Sequence, residues 1–97
     1  MDSKARKAWS IIRQCIEEGR YRVLEHFTQR MDQRGLVWPD VLAVLDDPAE
    51  VRPGGPEEFG SPKWIVNGMA ADGLDAEIVC VLDHDEQGRL TVFITIY

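Results

Sequence analysis

The sequence predicts an α+β fold, with N-terminal helices packed on a curved antiparallel sheet of about four strands. Three observations carry this. Apolar residues recur at helical spacing through about residue 45. From residue 49 they gather into short β-rich runs separated by turn residues. The connections are short, and helices come first and strands last, which suits a meander backed by helices.

The first helix covers residues 5–16, where Ala5, Ala8, Trp9, Ile12, Cys15 and Ile16 form one apolar stripe. Ser3 is placed to cap its start and Gly19 to end it. Arg6, Lys7 and Arg13 fall on the outer face. The second helix is expected from about Val23 to Gln33, with Leu24, Phe27 and Met31 inward and Gly35 as its stop. "VWPDVLAVLDDP" gives a third, with Pro39 and Asp40 suited to its first turn and Asp46-Asp47-Pro48 ending it. Trp38, Val41, Leu42 and Leu45 make its inner stripe.

"AEVRP" is a short strand, and "GGPEEFGSP" is an exposed loop. "KWIVNGM", "AEIVCVLD" and "LTVFITIY" are the principal strands. Ile78 to Leu82 is continuously apolar, which marks the central strand and predicts cover on both faces. In the last run Leu90, Val92, Ile94 and Ile96 alternate with Thr91, Phe93, Thr95 and Tyr97. Strict alternation sets Tyr97 on the Phe93 face.

The chain has 97 residues, 44% of them hydrophobic, enough for one core in a single domain. No apolar run is long enough to span a membrane, and the N-terminus lacks signal-peptide character, so a cytoplasmic protein is expected. Cys15 and Cys80 lack metal-ligand spacing and are expected as buried thiols. Net charge is −6, distributed as +3 over residues 1–38 and −9 over residues 39–97. Phosphate neutralisation supplies most nucleic-acid affinity, so only the basic N-terminal part favours RNA.

His26 and Arg30 stand one helical turn apart, and Arg34 follows one turn later. A neutral imidazole beside guanidinium groups suits RNA cleavage: the base takes the 2′-hydroxyl proton and the cations hold the phosphate as charge builds. The competing reading packs His26 at a helix–sheet seam, with Arg30 paired to an acid and Arg34 near the helix C-terminus. A terminal tyrosine on a sheet stacks a base, donates a proton or covers the core. Asp83-His84-Asp85 with Gly88 begins like a calcium loop, but Ile94 stands where the closing glutamate is required. That segment is expected as a solvated hairpin turn. No zinc spacing, phosphate loop or serine-nucleophile motif is present, and no metal or cofactor is expected.

"LEHFTQRMDQRGLVWPDVLAVLDDPAEV" resembles the histidine–arginine helix, the R-G-[IL] turn and the short helix of a small bacterial domain-of-unknown-function family. "PKWIVNG", "EIVCVLD" and "TVFITIY" resemble that family's strands, including its closing pattern. The resemblance covers about residues 21–97 and leaves residues 1–20 as an added helix. The family is usually grouped with RelE/ParE-like toxins, and BrnT-like and MqsR-like toxins are similar in layout. The resemblance implies an endoribonuclease acting on mRNA, free or on the ribosome, with an antitoxin as partner. Active toxins of that kind are typically basic, whereas this chain is acidic. By the resemblance His26, Arg30, Arg34 and Tyr97 are the catalytic candidates. Lys63 is placed to touch phosphate, and Arg13 joins it as an RNA-binding candidate.

The alternative is a non-catalytic module whose sheet face or edge binds a peptide or a second copy of the chain. The two readings divide on charge. RNA requires Arg6, Arg13, Arg30, Arg34 and Lys63 to converge on one concave face; scatter favours the module.

Overall fold

A computed structural model describes residues 1–97. Helix α1 spans Ser3–Glu18 and buries Ala5, Ala8, Ile12 and Cys15. Its cap is Asp2 rather than Ser3: the Asp2 carboxylate accepts from the Ala5 N–H at 2.8 Å. Gly19 ends the helix with φ of 70°, a left-handed conformation that favours glycine. Strand β1, Tyr21–Val23, follows at once. Helix α2 is Glu25–Arg34 and α3 is Trp38–Asp46. In the turn between them the Asp40 carboxylate accepts from the Val37 N–H at 2.9 Å. Strands β2 (Glu50–Pro53), β3 (Lys63–Met69), β4 (Asp75–Asp85) and β5 (Gly88–Ile96) complete the fold.

The sheet has five strands rather than four, ordered β1-β5-β4-β3-β2. From β2 to β5 it is the expected antiparallel meander, with β4 at its centre. The additional strand is β1, which pairs parallel to β5 over Thr91–Phe93 and makes the sheet mixed. Of its three residues, Val23 is the one that the sequence reading gives to the start of the second helix. The β5 edge instead draws all three into a ladder, with the Thr91 N–H donating to Arg20 O and the Leu24 N–H donating to Phe93 O.

Helices α1 and α3 cover one face of the sheet. The main core there joins Ala5, Ile12, Val41, Val44 and Leu45 to Val51, Val66, Ile78, Cys80, Phe93 and Ile96. Tyr21 and Trp38 stack at 5.4 Å, and both meet Phe93 edge-on. Phe27 and Met31 of α2 reach the same core from the β5 edge. Trp9, Trp38 and Trp64 are half-buried against it, as their inward positions required. The other face carries no helix, which corrects the expectation that β4 is covered on both sides. A smaller cluster of Val81, Leu90 and Val92, with Leu24 and Ile94 packed on it, seals it. Side chains alone suffice there because β-branched and leucine side chains on adjacent strands pack directly on one another.

A bulge in the β4–β5 ladder redirects the end of β5. Cys80 pairs with Phe93, but Val79 pairs with Thr95, so Ile94 is the extra residue. The alternation of β5 therefore reverses beyond Phe93. Ile96 joins Phe93 in the main core, while Thr95 and Tyr97 turn to the helix-free face. The placement of Tyr97 on the Phe93 face is thus overturned.

Candidate functional site

Helix α2 runs along the edge of β5 beyond the last β1 pairing. Phe27 and Met31 point inward, which leaves His26, Arg30 and Arg34 as a stripe beside the end of β5. His26 lies in the first turn and is exposed. Arg30 Nε donates to Ile96 O at 3.1 Å, and its Nη1 donates to Gln33 Oε1 at 3.2 Å. Its guanidinium also sits 5.2 Å from the centre of the Tyr97 ring. Arg34 Nη1 donates to Tyr97 O at 2.5 Å and Nη2 to Asp75 O at 3.1 Å. The two arginines therefore tie α2 to the end of β5 and the start of β4, and Tyr97 O accepts from the Glu77 N–H of β4 as well.

Arg30 and Arg34 meet Tyr97, while His26 stands one helical turn before Arg30 on the same stripe. Tyr97 is 54% exposed, and each half-buried guanidinium spends two of its five N–H donors on these bonds. Neither arginine is paired with an Asp or Glu side chain, contrary to the structural reading that gave Arg30 an acid.

Lys63 and Arg13 do not join them. Lys63 begins β3, two strands away from β5, and its Nζ pairs with Glu58 at 2.6 Å. The loop from Gly54 folds back on β3, with the Gly54 N–H donating to Lys63 O, and this brings Glu58 to the lysine. Arg13 lies on α1, across the sheet from the helix-free face. It stacks on Trp9 at 5.3 Å and approaches Asp46 at 3.6 Å. Arg6, on the same helix, donates to Met1 O. The five basic residues scatter over different surfaces.

One cation that the sequence reading passed over lies on the sheet toward the β4–β5 hairpin, where its charge acts on Asp83 and Asp85. Arg22 pairs in register with Val92 and so shares the helix-free face. The alternation of half-buried Tyr21 with exposed Arg22 was the signal, hidden by the strand's brevity.

The remaining charges on the sheet are locally compensated. Arg52 reaches Glu77 at 2.5 Å and Glu50 at 2.6 Å, and these two carboxylates raise its pKa further. Asp83 is held below the usual carboxylate range by the His84 backbone N–H and the Ser61 hydroxyl. Asp85 is lowered by the Arg20 guanidinium and by the Gln87 N–H, which makes the His84 segment a tied hairpin turn. Cys15 and Cys80 are buried free thiols, and burial pushes Cys80 up to about 12. No group of three or more His, Cys, Asp or Glu side chains is placed to hold a metal ion. No helix is long and apolar enough to cross a membrane.

Residues 23–97 match the model of the family described as Domain of unknown function (DUF4258), and the chain belongs to that family. No curated protein and no solved structure matches it.

Proposed function

We propose that this DUF4258 protein is a RelE-like toxin, or a protein derived from one, that acts on RNA at the His26–Arg30–Arg34–Tyr97 cluster. The observation that carries the reading is the position of Tyr97. The bulge at Ile94 turns it to the helix-free face, where Arg30 stacks on its ring and Arg34 holds its carbonyl. An exposed imidazole, two guanidiniums without Asp or Glu partners and a phenol then lie along one edge. In this account His26 removes the 2′-hydroxyl proton, and the 2′-oxygen attacks the adjacent phosphorus. The arginines stabilise the charge that builds on the phosphate. Tyr97 stacks on a base or gives a proton to the departing 5′-oxygen.

The cluster is confined to one helix stripe and the end of one strand rather than forming an extended track. The scatter of Arg6, Arg13 and Lys63, and the pairing of Lys63 and Arg52 with acids, favour the second reading, a non-catalytic interaction module. Brief induction in a bacterium separates the two, with wild type beside His26→Ala/Arg30→Ala and RNA ends mapped. Growth arrest with new RNA ends, both lost in the double variant, supports the toxin reading. Abundant folded protein with intact RNA and normal growth supports the module.

A further inference from the structure

On α1, Arg6, Ser10, Arg13 and Glu17 fall on successive turns and form one stripe, flanked by Trp9 and Gln14. The stripe borders a surface recess of about 550 Å³. It lies away from the sheet, because the same helix buries Ala5, Ala8, Ile12 and Cys15. Trp9 is fixed at its margin, with Nε1 donating to Leu45 O at 2.7 Å and the Arg13 guanidinium against its ring. Arg6 has no carboxylate partner, and its Nε donates only to Met1 O. Arg13 approaches a carboxylate only at 3.6 Å, between exposed side chains. Glu17 is exposed at the opposite end. The stripe therefore runs from positive to negative along the helix.

That order is complementary to itself. A two-fold axis between Ser10 and Arg13 lays a second copy of the helix antiparallel across the first. Arg6 of each copy then faces Glu17 of the other, Ser10 faces Arg13, and Trp9 faces Gln14. The geometry points to a homodimer in which α1 of one copy packs antiparallel on α1 of a second. RNA suits this stripe less well, since the Glu17 and Asp46 carboxylates at its end repel phosphate. A generic partner has no need of an order that repeats under two-fold rotation. The interface is independent of the RNA reading.

Sedimentation equilibrium of the full chain at low salt tests it. The wild type is expected to form a species of twice the 11.0 kDa chain mass. Arg6→Glu alone and Glu17→Arg alone are each expected to weaken dimerisation about tenfold or more, because like charges then meet at both ends. Mixing the two single variants restores the dimer, since each new charge meets its opposite in the other chain. The double variant Arg6→Glu/Glu17→Arg restores it as well. Both positions are exposed, and the new charges suit the helix dipole, so circular dichroism should match the wild type throughout. A wild type that stays monomeric overturns the proposal. So does a dimer indifferent to both single reversals, or a loss that neither mixing nor the double variant recovers.

Discussion

Thr91 is fully buried beneath the helices, and its hydroxyl meets no partner. An unsatisfied buried hydroxyl carries its desolvation cost without return. Thr91→Val keeps the shape and removes the polar atom, so it should stabilise the protein by about 1 kcal/mol, measured by urea unfolding. His26 is the opposite case. It is exposed, so His26→Ala should leave the unfolding midpoint within about 0.5 kcal/mol of wild type. Any loss of activity in that variant then belongs to chemistry rather than folding. Arg30 and Arg34 stand between these cases. Their bonds to Ile96 O, Tyr97 O and Asp75 O tie α2 to the end of the sheet, so their removal touches structure and site together.

Helix α3 and strand β3 approach closely at Gly68. A Cβ there would lie 3.3 Å from Pro48 Cα and 3.4 Å from Val44 Cγ1. The first neighbour is backbone and cannot swing aside, so Gly68→Ala should cost roughly 1–3 kcal/mol in thermal or urea unfolding. This scale also shows what the sequence made legible. The three helices, the glycine stops at Gly19 and Gly35, and the β2–β5 meander follow from apolar spacing and turn chemistry, which are local signals. Strand β1 was hidden because three residues carry no period. Its pairing with β5 is a contact across some seventy residues of chain. The bulge was hidden for a related reason. "LTVFITIY" alternates without a flaw, and only the register against β4 shows that Ile94 is extra. The stripe His26, Arg30 and Arg34 was readable on its helix, but the side on which Tyr97 would meet it was not. Lys63 and Arg13 lie apart from this stripe, and the sequence did not show their partners, Glu58 and Asp46, because these come from a loop and a helix end.

Across the whole molecule, net charge of −6 coexists with a small group of unneutralised cations at one edge of the sheet. The tie between Arg20 and the β4–β5 hairpin fastens the opposite end of β5 to the α1–β1 junction. Its contribution has a definite pH dependence. Asp85 is lowered from 3.8 by the Arg20 guanidinium, so the stabilisation is fully present above that value. It disappears as pH falls through the lower folded-state value. Thermal midpoints should therefore fall below about pH 4, and the difference between wild type and Arg20→Met should shrink there. A difference that stays constant with pH would contradict the tie. RNA binding is proposed at the edge formed by α2 and the end of β5. The most direct measurement is a nuclear magnetic resonance titration of the protein with a short single-stranded RNA carrying 2′-O-methyl sugars, which cannot be cleaved through the 2′-oxygen. The account expects the largest shifts at His26, Arg30, Arg34 and Tyr97, lost in Arg30→Ala. Shifts confined to α1, or none at millimolar RNA, would contradict it.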